Sequence, residues 1–124
     1  MPESNAMPVR EFDEVSLLER LGNDAELYRS VAELFAGDYP AAMASLDQAV
    51  LAGDARAVRV AAHAILGTLL NLSADPAIVL AREIESQAAR GELDGAAVQA
   101  AVLKEHLERL AHELSAASLR SIQT

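Results

Sequence analysis

Apolar residues recur three and four positions apart along most of the chain, and helix start and stop residues interrupt them at Gly22 and Asn23, Gly53 and Asp54, Asp75 and Pro76, and Gly91 and Asp94. Such spacing collects side chains on one face of an α-helix, whereas a strand needs strict alternation. The pattern predicts a short helix over 13–21, carrying Val15, Leu18 and Leu21. A long helix over 24–51 follows, with the stripe Leu27, Val31, Leu34, Phe35, Met43, Leu46 and Val50. Gly37 and Pro40 interrupt that stripe, which resumes in phase, so a kink is expected there rather than a loop. The third helix, over 55–72, buries Val58, Ala62, Ile65, Leu69 and Leu72; the fourth, over 75–90, runs through Leu80 and Ile84. The last runs to about Ser115 through Val98, Val102, Leu107, Leu110 and Leu114. Asn23 with Glu26 reads as a capping box, Asp54, Asp75 and Asp94 as further caps, and Pro76 as a first-turn proline. Short loops make sequential helices antiparallel. The expected fold is all-α, an antiparallel up-down four-helix bundle with a short additional N-terminal helix.

Composition supports this. The chain is 52% hydrophobic, dominated by Ala and Leu, and its only aromatic residues are Phe12, Tyr28, Phe35 and Tyr39. Ala and Leu are strong helix formers, and strand-favouring residues are few. With 124 residues, one domain is expected, over 12–115. Residues 1–11 read as a disordered tail or cloning residues, since Ser4-Asn5-Ala6-Met7 resembles a cloning scar, and 116–124 as a frayed C-terminal tail.

Several function classes are disfavoured. No Cys is present, so disulfides, thiolate metal sites and thiol nucleophiles are absent. That fits a reducing compartment, and a cytoplasmic location is expected. A formal net charge of −9 opposes nucleic-acid and anionic-lipid binding. No apolar run reaches the length of a membrane span, and the start has no signal-peptide pattern. There is no Gly-rich phosphate loop, and His106 and His112 stand about 240° apart on a helix, which argues against a shared metal and for two surface residues. Neither metal nor cofactor is expected.

One constellation carries chemistry. His63 lies off the buried stripe of the third helix, and successive 100° turns place Arg59, His63, Leu66, Gly67 and Leu70 on the outer face. Gly67 inside a helix costs about 0.8–1 kcal/mol relative to Ala, and it removes a side chain one turn from His63. An exposed imidazole with one unprotonated nitrogen can act as a nucleophile toward a phosphoryl group. On these two residues alone, an ordinary surface histidine beside an incidental glycine carries more weight.

The segment His63-Ala64-Ile65-Leu66-Gly67 resembles the motif of the histidine-containing phosphotransfer (HPt) family, a His followed at the fourth position by Gly. Thr68, Asn71, Leu72 and Ala74 resemble the family's ending of this helix, with Ser73 in place of its second Gly. Leu21-Gly22-Asn23-Asp24-Ala25-Glu26-Leu27 resembles the start of the family's second helix. Phe35, Pro40, Leu46, Ala49, Gly53 and Asp54, then Ile84-Glu85, Ala88 and Gly91, also fall where its pattern expects them. The resemblance spans 12–114.

The resemblance implies a phosphocarrier rather than a true enzyme, with no ATP-binding or hydrolytic site. His63 would accept a phosphoryl group from a receiver-domain aspartate and pass it on, while the partner supplies the aspartate, a divalent metal and most catalytic groups. Glu85 would orient the imidazole, and its bland alternative is an exposed helix carboxylate. The partners implied are response-regulator receiver domains and a sensor or hybrid histidine kinase, met by a monomer through the outer faces of the second and third helices. One position departs: Leu66 stands where the family has a Lys that helps neutralise the phosphoryl group. Either Arg59 or Arg82 could partly replace that charge, although a solvated surface arginine is the bland reading of each. Leu66 and Leu70, one turn apart, are expected to form an exposed partner-docking patch. The rival reading is a degenerate HPt-like adaptor that binds a receiver or kinase without being phosphorylated.

Overall fold

A helix starts where a side chain can accept from the free N–H groups of its first turn. In the computed structural model, which describes residues 10–123, Asp13 does this ahead of α1 (Glu14–Arg20), Asp24 ahead of α2 (Ala25–Ala52) and Asp54 ahead of α3 (Ala55–Asn71). Helices α4 (Asp75–Ala89) and α5 (Ala96–Gln123) complete the chain. The expected Asn23 cap is displaced by one residue. Asn23 adopts φ 57 in the turn after Gly22, and the Asp24 carboxylate accepts from Glu26 and Leu27 instead. Asp75 is likewise the first helical residue of α4 rather than its cap, which is Ala74 without a side-chain bond. Pro40 sits inside an unbroken α2.

The long helices close a ring in which α2 packs on α3 and α5, and α4 packs on α3 and α5. Helix α1 lies across one end. The Asp13 N–H donates to the Ser73 carbonyl, Arg20 Nη1 donates to the Leu70 carbonyl at 2.6 Å, and the Tyr28 hydroxyl donates to Glu14 at 2.8 Å. Burial, reinforced by that bond, pushes the Tyr28 phenol above its ordinary value. Among the described residues no helix is long and apolar enough to cross a membrane.

The buried faces differ from the expected stripes on α1, α2 and α5. On α3 the expected set is buried. On α2, Tyr28, Ala32, Phe35, Met43, Leu46 and Ala49 are buried, while Leu27 and Leu34 face outward. On α1, Leu17 is buried and Val15 exposed. On α5 the core stripe is Ala96, Ala100, Leu103, Leu107, Leu110, Leu114 and Ala117, leaving Val98 and Val102 exposed. Small side chains let helix axes approach, so an Ala-rich face can be the inner one.

The described parts of the two expected tails, 10–11 and 116–123, belong to the folded unit, and residues 1–9 lie outside the described residues. Helix α5 continues to Gln123 with Ala117 and Ser118 buried, so 116–123 extends the bundle rather than fraying from it. Glu11 is buried too. Its N–H donates to Glu113, and its carboxylate accepts from His106 at 2.7 Å and Arg109 at 3.1 Å. His106 is therefore half-buried and engaged, not a free surface residue. The Ser4-Asn5-Ala6-Met7 segment lies outside the described residues.

Candidate functional site

His63 projects from the middle of α3, and Glu85 projects from α4, the neighbour against which α3 packs. The buried Ile65 and Leu69 fix one helix and the buried Ala81, Ile84 and Ala88 fix the other, so the polar pair is set by apolar packing beneath it. His63 Nδ1 lies 2.6 Å from Glu85 Oε2. A carboxylate only accepts, so Nδ1 carries the hydrogen and donates it. The neutral ring then holds its lone pair on Nε2. The His63 side chain is 73% exposed while Glu85 is 24% exposed, so the carboxylate is half-sunk and the ring stands out from the surface. The arrangement gives a solvent-facing nitrogen nucleophile whose tautomer and orientation are fixed from below.

Gly67 stands one turn beyond His63. A Cβ built there meets nothing within 4 Å. No internal contact demands glycine, so the helix-propensity cost has no counterpart inside the bundle. The clearance lies on the outside, beside the imidazole.

Arg59 and Arg82 are both exposed and line one shallow depression with Glu85, Ser86 and Ala89. On the other flank of His63, α2 and α3 border an apolar hollow formed by Phe35, Tyr39, Ala64 and Thr68, with Asp38 at its edge. A second hollow adjoins it, lined by Val31, Leu34, Asn71 and Leu72. Among the described residues no cluster of His, Cys, Asp and Glu could hold a metal ion.

The Leu66–Leu70 patch does not form. Leu66 is 8% exposed and belongs to the core. On an ideal helix it stands about 60° from His63 and about 80° from the centre of the buried stripe, and α4 covers that edge. Leu70 is partly exposed, and its carbonyl accepts from Arg20.

The sequence profile of the Hpt domain matches residues 30–113. The chain belongs to the Hpt-domain family. The crystal structure of histidine-containing phosphotransfer protein B (HptB) from Pseudomonas aeruginosa PAO1 resembles it with a TM-score of 0.82 and 25% sequence identity, covering 93% of this chain and 98% of that one. Comparison with curated proteins finds no match.

Two departures from the Hpt pattern acquire physical meaning. Leu66, where the resemblance leads one to expect a Lys, is a core residue. Ser73, at the position of the second Gly, adopts φ 55, and its buried hydroxyl has no hydrogen-bond partner. Glycine would hold that turn without either penalty. The Glu11–His106–Arg109 cluster escaped the sequence reading. His106 and Arg109 share one face of α5, but nothing local marks a partner 95 residues away.

Proposed function

We propose that this Hpt domain is a phosphocarrier in which His63 takes a phosphoryl group from a receiver-domain aspartate and passes it to another. The observation that carries the reading is the 2.6 Å bond from His63 Nδ1 to a half-sunk Glu85 beneath an outward Nε2. Nε2 attacks the phosphorus of the acyl phosphate. An Nε2–P bond forms, the P–O bond to the partner's aspartate breaks, and its electron pair stays on the released carboxylate. The ring, still bearing the Nδ1 hydrogen, becomes a phosphorylated cation. Glu85 accepts a charge-assisted hydrogen bond from it, which stabilises the intermediate. Transfer onward is the reverse step, with the imidazole as leaving group.

Gly67 leaves room for the receiver's active-site edge. The apolar hollows between α2 and α3, with Leu34 exposed beside them, form the docking face. Receiver domains, loaded in turn by a sensor or hybrid kinase, are the partners, and the carrier acts as a cytoplasmic monomer. Docking of this kind is modest in area, because a relay has to release its partner. The loss of the family Lys at Leu66 supports a second reading, a non-phosphorylated adaptor that binds a receiver. Incubation with a phosphorylated receiver domain separates the two. The carrier becomes labelled on His63, whereas the adaptor binds and stays unlabelled.

A further inference from the structure

The phosphoryl group of a phosphocarrier is a dianion, and here it would form on a ring whose other nitrogen lies 2.6 Å from a carboxylate, on a chain of net charge −9. The family position that normally brings a cation is Leu66, now buried. Charge compensation has to come from elsewhere or be absent.

Gly67 and Thr68 fall on the α2 side of His63, and Thr68 lines the hollow there. Leu66 falls on the opposite, α4 side. Arg59 precedes Leu66 by seven residues, two turns, so the two lie about 20° apart on the same α4-facing edge, with His63 between them along the axis. Arg82 approaches that edge from α4, one turn before Glu85. Both arginines line the depression whose wall includes Glu85 and Ser86. Among the described residues neither arginine has an ion pair or hydrogen bond. Arg90, beside that depression, is committed to Glu92 and the Ser86 hydroxyl, and Arg56 lines a separate depression on the α2 side with Ser45 and Ala49. Arg59 and Arg82 are therefore free guanidinium groups flanking the one carboxylate that holds the active imidazole.

We infer that Arg59 and Arg82 together supply the positive charge for phosphorylated His63, replacing from the α3–α4 groove the cation lost at Leu66. This rests on the phosphocarrier reading. Guanidinium groups donate in a planar fork that suits phosphate oxygens, and their long stems span the groove from either side. The site is thereby divided. Cations approach the phosphoryl group from the α4 side, and the α2 side is left for the partner's apolar contact.

The test uses the full chain and a surrogate receiver domain phosphorylated with phosphoramidate, and it follows the equilibrium distribution of label between receiver and carrier. Arg59→Gln and Arg82→Gln should each shift the distribution away from the carrier by about two- to fivefold, the range of one exposed charge contact, and the double variant by about tenfold. Arg59→Lys with Arg82→Lys should recover most of the loss. Raising salt should erase the difference between wild type and double variant. Binding of the unphosphorylated receiver should be unchanged, as should the thermal midpoint. An unchanged distribution in the double variant overturns the inference, and so does a shift matched by an equal loss of receiver binding. Absence of label on the wild-type chain would instead remove the phosphocarrier reading itself.

Discussion

Two histidines in this molecule make nearly the same bond and do opposite things. His63 Nδ1 donates to Glu85 at 2.6 Å, and His106 Nδ1 donates to Glu11 at 2.7 Å. The second pair is sunk: the His106 side chain is 22% exposed and Glu11 only 5%, and Arg109 holds the other oxygen of the same carboxylate. The Glu11 N–H is itself tied to Glu113 on α5. In the proposed function one pair is a platform that presents a ring to a partner; the other is a clasp that fastens residues 10–12 to the bundle. A histidine–carboxylate bond fixes a tautomer in both places. Exposure, and what else claims the carboxylate, decide whether the ring is a reagent or a fastener.

The largest effect that sharpens this comparison belongs to the clasp. Glu11→Ala leaves His106 and Arg109 without their shared acceptor and should cost about 2–3 kcal/mol of stability by urea denaturation, with phosphotransfer unchanged. Glu85→Ala should do the reverse. It should slow phosphotransfer about tenfold, the worth of one charge-assisted hydrogen bond in a partly exposed site, and change stability by less than about 0.5 kcal/mol. If both substitutions move stability alike, the distinction between platform and clasp fails.

A smaller effect probes the clearance beside His63. Gly67→Ala should raise stability by about 0.8–1 kcal/mol, because the new Cβ meets nothing inside the bundle. It should also slow transfer from a receiver domain. A stability gain with undiminished transfer would show that Gly67 has no part in docking.

The smallest concerns α1, which meets α2 through Tyr28. Burial and the Glu14 bond raise the phenol above its ordinary 10.0, so the folded state holds that proton more tightly than the unfolded chain. The contribution is complete below pH 10.0 and is lost as pH rises toward the folded value. Urea titrations at pH 9 and pH 11 should show a steeper loss in wild type than in Tyr28→Phe.

Helix ends are encoded locally in this chain, and contacts between distant segments are not. Gly53 adopts φ 65 between α2 and α3, and Asp54 caps α3, as a glycine followed by aspartate in a helical sequence implies. His63 and Gly67 share one face because they lie four residues apart on α3, whereas Glu85 on α4 was implied only by the family resemblance. Leu66 was misjudged because it stands at the edge of a face, where the cover from α4 decides. Val98 and Val102 lie off the face lined by Ala96, Ala100 and Leu103, and closely packed helices accept such Ala residues inward. The clasp could not be read at all, since Glu11 and His106 meet only after the bundle closes.

The most direct test is phosphotransfer to wild type, His63→Gln and His106→Gln from a phosphorylated receiver domain. Acid-labile, base-stable label on wild type and His106→Gln, and none on His63→Gln, is the expected result. Label that survives in His63→Gln, or a wild-type chain that binds the receiver and takes no label, would contradict the assignment of His63 as the phosphoryl carrier.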